Sequence, residues 1–278
     1  MYFRPSTLTE AVDVLARSGA QILAGGTDFF PSLGDEPVRR SVVDISGLHA
    51  LRGIVSDETH FRIGALTTWT DLIRTPLPQC FDGLKAAARE IGGVQIQNRG
   101  TVAGNLCNAS PAADSVPPLL TLDTEVELTS PTGKRRMLLA EFIVGNRKTH
   151  LQPGEILSQI LVPRTVEHAN SSFLKLGARR YLVISIAMVA VVIHKDPAGN
   201  VTDARASVGS CSAVARRLPA LERTLLGAPA AEGLGSLAAA THLKDLGPID
   251  DVRGTASYRQ DAALQLVRRA IDACVRLA

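Results

Sequence analysis

The spacing of apolar residues along the chain switches every few residues between a helical pattern and a strand-like pattern, which is typical of short helices and strands in alternation. The first segment is helical, because Thr7-x-x-Glu10 forms a capping box, apolar residues follow at a spacing of three and four, and Gly19 stands where a left-handed cap ends a helix. Short apolar runs predict strands over residues 21–24, 42–45 and 61–65. Further helices are predicted over 67–73 and 84–91. Mixed short strands and helices of this kind predict an α+β fold.

The stretch from residue 92 to residue 118 has little regular periodicity and is rich in Gly, Asn, Ser and Pro. Connections of this length inside a compact domain are uncommon unless they are functional. The sequence therefore predicts an irregular segment there, and we expect a ligand to bind to it.

The second half of the chain first predicts strands and then a long helix. Strands over 125–129 and 134–138 flank a Pro-Gly turn, and more strands are predicted over 156–162 and 171–176. A β-rich run over 183–193 turns at residues 196–200 and returns through 201–208. An apolar stripe predicts a helix over 258–277. A second α+β domain is therefore expected from about residue 170.

Composition excludes several classes of protein. The 278 residues are 45% hydrophobic and 21% charged, and 30 Lys+Arg against 27 Asp+Glu give a net charge of +3 with both signs interspersed. A nucleic-acid-binding protein would concentrate its basic residues in a stripe or patch. The longest apolar run, residues 181–193, is too short to span a bilayer, and no signal-peptide core follows the first residues. These features predict a cytoplasmic protein that has no membrane span and binds no nucleic acid.

Cysteine and histidine usage predicts no metal site. The four cysteines lie far apart, at positions 80, 107, 211 and 274, and the six histidines are dispersed. Iron–sulfur and structural zinc sites need converging ligands, which close spacing usually announces. We therefore expect the cysteines to be buried small apolar residues.

Two glycine-rich segments are the candidates for ligand binding. Ala24-Gly25-Gly26-Thr27-Asp28 follows a predicted strand, and a second segment runs from Gln95 to Leu106. Glycines allow backbone N–H groups to converge on a phosphate without a Lys or Arg. Taken alone, the first segment is also compatible with a tight turn that closes the strand, and the second with an Ω-loop that satisfies its own backbone. Two of them favour one dinucleotide that bridges both, although neither a Gly-x-Gly-x-x-Gly motif nor a P-loop is present.

These motifs resemble the FAD-binding subunits of molybdenum hydroxylases, the xanthine dehydrogenase and carbon monoxide dehydrogenase family. Ala-Gly-Gly-Thr-Asp is followed by Asn98-x-Gly-Thr-Val-x-Gly-Asn-Leu106 and by Pro111-x-x-Asp114. The similarity continues through residues 155–157, 173–180 and 248–259. It implies an FAD-binding domain of vanillyl-alcohol-oxidase type over residues 1–168, with subdomains of about 1–56 and 57–168. A smaller α+β C-terminal domain over residues 170–278 would follow it.

The resemblance also implies which residues contact the cofactor. Residues 22–29 would wrap the pyrophosphate, residues 101–105 would hold it from the second segment, and separate side chains would contact the flavin nucleotide. The implied set is Ile22, Leu23, Ala24, Gly25, Gly26, Thr27, Asp28, Phe29, Ile91, Thr101, Val102, Ala103, Gly104, Asn105, Asp114, Leu157 and Lys175. It contains no catalytic side chain and no metal ligand. Two residues depart from the family pattern, namely Gln97 in place of Arg and Ala103 in place of Gly.

The function implied by the resemblance is electron transfer. In relatives, electrons from a molybdopterin centre on a large subunit pass through [2Fe-2S] clusters on a small subunit to FAD, and then to NAD or another acceptor. Molybdopterin and iron–sulfur clusters are therefore expected only on partner subunits. Two alternatives stay open at this point, namely a self-sufficient flavin oxidoreductase of the same fold and a non-catalytic scaffold.

Overall fold

A computed structural model describes residues 1–276 of the chain. Up to residue 121 the elements are β1 (Tyr2–Phe3), α1 (Leu8–Ser18), β2 (Gln21–Leu23), β3 (Val42–Asp44), β4 (Ile54–Ser56), β5 (His60–Gly64), α2 (Trp69–Arg74), α3 (Asp82–Glu90), α4 (Val94–Gln97), α5 (Val102–Asn108) and α6 (Val116–Thr121). The elements that follow are β6 (Glu125–Ser130), β7 (Gly133–Leu138), α7 (Leu139–Phe142), β8 (Ile143–Gly145), β9 (Lys148–Thr149), β10 (Ile156–Pro163), β11 (Asn170–Leu176), β12 (Ala187–Lys195), β13 (Val201–Gly209), β14 (Arg216–Arg217), α8 (Pro219–Leu225) and α9 (Ala256–Arg276). The predicted α+β class is confirmed.

The chain folds into two compact units, each assembled from three separate segments. Unit 1 consists of Met1–Thr75, Gly93–Ala109 and Thr124–Val162. Unit 2 consists of Pro76–Gly92, Ser110–Asp123 and the chain from Pro163 onward. The units therefore alternate along the sequence, whereas the predicted domains 1–168 and 170–278 are continuous ranges and stay a prediction.

Unit 1 contains a small parallel sheet and a larger sheet. β1 and β2 both pair in parallel with the central strand β3. The five-stranded sheet has the order β4-β5-β10-β6-β7, in which β6 and β7 form the predicted antiparallel hairpin. α1 has the predicted ends, because the Thr7 hydroxyl accepts the N–H of Glu10 and Gly19 adopts the left-handed conformation.

Unit 2 is built on the antiparallel sheet β11-β12-β13-β14, and β12 packs with α9 through one set of alternate residues and with α3 through the other. Ala187, Val189 and Val191 belong to the same core as the buried stripe of α9. The alternate residues Met188 and Ala190 pack with Phe173 and with Ala87 of α3. Successive side chains of a strand point to opposite faces of the sheet, and both faces of β12 are buried. Its sequence is therefore a continuous apolar run.

Two predictions about local structure are wrong. The segment 92–118 is not irregular, because it contains α4, α5 and α6. Each of these helices spans only one or two turns, which is too short to display a helical period. The strand predicted over 183–193 begins only at Ala187, and residues 183–186 belong to the preceding loop, in which the apolar Ile184 is exposed and not buried in a sheet.

The long C-terminal helix is confirmed over the described residues and begins at Ala256. Its predicted last residue, Leu277, lies outside the described residues. Within residues 1–276, no helix combines the length and the apolar character needed to cross a membrane.

Candidate functional site

The segment 22–29 leads from β2 into a tight turn at the surface of unit 1. Gly26 has a φ of +78°, which non-glycine residues rarely adopt, and its carbonyl accepts the N–H of Phe30 at 3.1 Å. Phe29 is buried and anchors the end of the segment, whereas Asp28 is exposed. The turn thus presents backbone at the surface, while its last residue, Phe29, is fixed in the core.

The two glycine-rich segments lie in direct contact. A Cβ built on Gly25 would lie only 2.0 Å from the carbonyl oxygen of Arg99 and 2.8 Å from its carbonyl carbon. A Cβ on Gly100 would lie 3.2 Å from the hydroxyl oxygen of Thr27. Only glycine fits at position 25, because no side-chain atom is tolerated that close to a backbone carbonyl. The fold therefore brings together two segments that are distant in the sequence.

The second segment opens helix α5. The Thr101 hydroxyl accepts the N–H of Gly104 at 3.0 Å, and the Thr101 carbonyl accepts the N–H of Asn105 at 3.1 Å. The N–H of Val102 donates to the carbonyl of Thr67 at 3.0 Å. Thr101 is therefore the N-cap of α5, and its hydroxyl proton can donate to a further acceptor.

The departure at Ala103 is accommodated inside unit 1. Ala103 is only 5% exposed, so its methyl group packs in the core, while the neighbouring Gly104 is exposed. The other departure, Gln97, is half-buried at the end of α4. The extra methyl of Ala103 therefore does not cover the surface of the segment.

Arg147 lies beside the first segment, and sequence reasoning missed it. Its guanidinium contacts the carboxylate of Asp28 at 3.3 Å and donates to the side-chain oxygen of Asn108 at 2.7 Å. The residue follows a Gly-Asn pair in the turn between β8 and β9 and has a left-handed φ of +53°. That turn gave no ligand-binding motif, so only the fold indicates that a cation lies near residue 28.

Unit 2 holds a buried charged cluster around Asp114. One carboxylate oxygen of Asp114 accepts from the Lys175 ammonium group at 2.7 Å, and the other accepts from the Ser185 hydroxyl at 2.5 Å. Lys175 also donates to the carbonyl of Val183 at 3.2 Å. The fold thus unites two residues of the predicted set and adds Ser185, which sequence reasoning missed because its partner lies far away in the sequence.

The cluster is a buried ion pair. The side chains of Asp114 and Lys175 are each 8% exposed. Burial raises the pKa of Asp114 above the ordinary carboxyl value, against the opposing effects of Lys175 and Ser185, and Glu90 adds to the rise. Removing such charges from water is costly, so each partner depends on the other. The sequence alone left Lys175 open as a solvated strand residue, and the structure places it in the interior.

A cleft of about 460 Å³ adjoins Lys175 in unit 2. Its lining combines apolar and charged residues: Ala86, Glu90, Phe173, Leu174, Lys175, Leu176, Gly177, Arg179 and Arg180. Ile91 follows Glu90 directly and is half-buried. Leu157 of the predicted set lies instead in β10 of unit 1, where it is buried.

Neither unit contains a grouping of side chains suited to a metal ion among the described residues. No three His, Cys, Asp or Glu side chains in residues 1–276 lie close enough together. Cys80, Cys211 and Cys274 are buried, Cys107 is half-buried, and all four are free thiols.

Comparisons with known families cover almost the whole chain. Residues 1–165 match the family described as the FAD binding domain in molybdopterin dehydrogenase. Residues 172–274 match the CO dehydrogenase flavoprotein C-terminal domain.

Individual relatives agree with these matches. The chain is 34% identical to the xanthine dehydrogenase FAD-binding subunit of Escherichia coli O157:H7, over 100% of this chain and 96% of that protein. It is 30% identical to the carbon monoxide dehydrogenase medium chain of Hydrogenophaga pseudoflava, over 98% of this chain and 96% of that one. A chain of quinoline 2-oxidoreductase from Pseudomonas putida 86 has a similar structure, with a TM-score of 0.91, 25% identity, and coverage of 100% and 97%. The chain therefore belongs to the family of FAD-binding subunits of molybdopterin dehydrogenases.

Proposed function

We propose that this chain is the FAD-carrying electron-transfer subunit of a heteromeric molybdenum hydroxylase. A small subunit delivers electrons from its [2Fe-2S] clusters, and a large molybdopterin subunit oxidises the substrate. The observation that carries the proposal is the direct contact between two glycine-rich segments, in a chain whose sequence matches FAD subunits from end to end.

The residues of unit 1 suit the diphosphate of FAD. Residues 22–29 hold it through backbone N–H groups, which the glycines leave uncovered. In the segment 101–105 the N–H groups of Val102, Gly104 and Asn105 already donate within the protein, so the Thr101 side chain is the donor of this segment. The Thr101 hydroxyl donates to a phosphate oxygen, and Arg147 adds positive charge beside Asp28. The cradle at Gly25 supports this assignment, since any side chain there would separate the two segments.

The remaining residues of the proposed set contact the flavin nucleotide. Asp114 accepts hydrogen bonds from cofactor hydroxyl groups with its remaining lone pairs, and the apolar Ile91 and Leu157 and the cationic Lys175 line the cofactor. When bound, FAD supplies the electron-accepting and electron-donating chemistry, and the protein fixes its position and electrostatic surroundings. The side chains of this set bind and position the cofactor, and none of them transfers a proton in the reaction.

The acceptor in this proposal is NAD or another electron carrier, and the compartment is the cytoplasm. The likeness to a xanthine dehydrogenase FAD-binding subunit supports a dehydrogenase function. Four free cysteines in the described chain support a reducing compartment, because disulfide-bonded cysteines are typical of oxidising ones.

Replacing Thr101 by alanine should lower FAD affinity by about ten- to a hundredfold. The change removes a hydrogen bond to a charged phosphate and also the N-cap of α5. Thr101→Ser keeps both interactions and should bind FAD nearly as well as the wild type. Titration with FAD measures affinity, and thermal unfolding without FAD measures the cap alone. Equal FAD affinity in all three proteins would contradict the assignment of Thr101.

The relay function is tested by reconstitution. The purified chain should bind FAD and be yellow, yet it should not reduce its FAD with purines, aldehydes or N-heterocycles. Adding the [2Fe-2S] subunit and the molybdopterin subunit should restore reduction of FAD by the substrate of the complex, which stopped-flow absorbance follows.

The same experiment separates the alternatives. Reduction of bound FAD by an organic substrate without partners would replace the relay with a self-sufficient oxidoreductase. A chain that takes up no FAD would support the scaffold instead.

A further inference from the structure

A buried arginine ends the C-terminal motif of residues 248–259, to which the proposed cofactor contacts give no role. Arg259 lies in the first turn of α9 and is 3% exposed, whereas the loop before this helix is exposed, with Val252 at 97%. The Arg259 guanidinium donates to the carboxylate of Asp251 at 2.6 Å. A guanidinium is costly to remove from water unless its partners compensate for the burial, so the other partners of Arg259 indicate what the motif holds in place.

The Arg259 guanidinium also binds two backbone carbonyls at one end of the unit 2 sheet. One nitrogen, Nη1, donates to the carbonyl of Ile186 at 2.6 Å and to that of Ser210 at 3.3 Å. Ile186 directly precedes β12 and Ser210 directly follows β13, and these two strands pair in antiparallel fashion. Both carbonyls therefore lie at the same end of the strand pair. Arg259 thus joins the loop before β12 to the loop before α9.

Ile186 connects Arg259 with the side chains that bind Asp114. The preceding residue, Ser185, donates its hydroxyl proton to Asp114 at 2.5 Å. The N–H of Ile186 donates to the carbonyl of Leu176 at 2.7 Å. Leu176 directly follows Lys175, which binds the other oxygen of the same carboxylate at 2.7 Å. Fixing the backbone of Ile186 therefore helps to fix both groups that hold the Asp114 carboxylate.

Ser210 connects Arg259 with the backbone that carries Asp114. The N–H of Ser210 donates at 3.1 Å to the carbonyl of Pro111, the first residue of the Pro-x-x-Asp motif that ends at Asp114. Ser210 has a left-handed φ of +61°, which non-glycine residues rarely adopt and which surrounding contacts must support. The bond from Arg259 to the Ser210 carbonyl is such a contact. One guanidinium thus supports both the ligands of the Asp114 carboxylate and the backbone beside it.

We propose that Arg259 positions Asp114 for the flavin nucleotide and thereby raises the affinity of the chain for FAD, an inference that rests on the proposed function. Arg259 touches no part of the cofactor in this proposal, and Asp251 keeps its guanidinium in place. The Asp114 carboxylate is then held in one orientation before FAD arrives. A binding group that is already in place loses little conformational freedom when the ligand binds, which strengthens binding.

Titration of the full-length chain with FAD, followed by flavin fluorescence, tests the role of Arg259, and urea unfolding without FAD measures the stability of each variant. Arg259→Met should lower the FAD affinity of the folded chain by about tenfold or more, because the residues around Asp114 lose their fixed positions. Arg259→Lys keeps the positive charge and one donor group, so it should recover part of the affinity. Wild-type FAD affinity in folded Arg259→Met would overturn the inference.

Arg205→Met is the matched control for a loss of stability. The Arg205 side chain is 11% exposed, and it also donates to a backbone carbonyl, that of Thr121 at 3.4 Å, and pairs with Asp123 and Asp203. None of these three partners belongs to the proposed cofactor contacts. Arg205→Met should therefore unfold at a lower urea concentration and yet bind FAD like the wild type. An equal loss of FAD affinity in the Arg205 and Arg259 variants would show that affinity only follows stability, and would overturn the inference.

A double variant tests whether Arg259 acts through the groups around Asp114. Ser185→Ala removes one hydrogen bond to Asp114 and should lower FAD affinity by about three- to tenfold. In the Arg259→Met background the same change should have a much smaller effect, because Ser185 is no longer held against Asp114. Full additivity of the two changes, or wild-type FAD affinity in Ser185→Ala, would contradict the proposal.

Asp251→Asn replaces Arg259→Met in this cycle if the arginine variant does not fold. It removes the carboxylate that holds the guanidinium, and the Asp251 side chain is 25% exposed, so the change leaves no buried charge without solvent on that side. FAD affinity should fall by about threefold or more, and wild-type affinity would overturn the inference. A wild-type chain that takes up no FAD would instead refute the proposed function itself.

Discussion

Replacing Gly25 by alanine is expected to abolish stoichiometric FAD binding. The new Cβ would lie 2.0 Å from the carbonyl oxygen of Arg99, and neither atom can move away by a side-chain rotation. The two glycine-rich segments must then separate, which disrupts the surface proposed to hold the diphosphate. We expect FAD affinity to fall by about a hundredfold or more, equivalent to about 3 kcal/mol. Quenching of flavin fluorescence on titration measures it.

Gly47→Ala is the matched control for this change. Gly47 also lies in unit 1, and its Cβ would make an ordinary contact with the side chain of Arg4 at 3.7 Å. This variant should bind FAD like the wild type. Retention of wild-type affinity by Gly25→Ala would show that the contact between the two segments is not needed for the cofactor.

Replacing Lys175 by methionine is expected to destabilise the chain by about 3–5 kcal/mol, because it leaves the carboxylate of Asp114 buried without its counter-ion. Methionine fills a similar volume, so the loss is mainly electrostatic. The double variant Lys175→Met with Asp114→Asn removes both charges and should recover most of the lost stability. Chemical unfolding of the four proteins of this cycle measures the coupling. Equal destabilisation in the single and the double variant would contradict the ion-pair explanation.

The deficit of Lys175→Met should shrink as the pH falls. Burial already raises the pKa of Asp114, and removing Lys175 takes away the main group that lowers it. With a pKa above its unfolded value, the folded state takes up a proton before the unfolded state does, so lowering the pH stabilises the fold relative to the wild type. The difference in unfolding free energy between variant and wild type should therefore be smaller at about pH 5 than at about pH 7. A difference that does not change with pH would argue that packing alone is lost.

The two glycine-rich segments show how much of the candidate site can be predicted from the sequence. Glycines after β2 and before α5 indicated phosphate binding, and the order of the motifs identified the family. The sequence did not show that Gly25 and Arg99 touch, nor that Arg147 lies beside Asp28. Both facts depend on which strands pair in unit 1, and pairing joins residues far apart in the chain.

The errors in the element predictions have a related cause. The helices between residues 92 and 118 contain too few turns to show a period. Their ends are set by single interactions. At the start of α5, the Thr101 hydroxyl caps the helix, and the N–H of Val102 donates to the carbonyl of Thr67. The loop before β12 was predicted as strand because it is rich in apolar residues. In the structure these residues, among them Ile184, are exposed on the surface and not buried in a sheet.

The sequence by itself determined the α+β class, the ends of α1, the hairpin of β6 and β7, and the family with its cofactor. These depend on interactions between near neighbours, or on motifs that stay intact in a linear reading. Tertiary structure alone decided the alternation of the two units along the chain, the burial of Lys175 against Asp114 and Ser185, and the joining of two exposed loops by Arg259. The physical reason is that burial and ion pairing depend on distance in space, and residues such as 114 and 175 come together only when the whole core of unit 2 has formed.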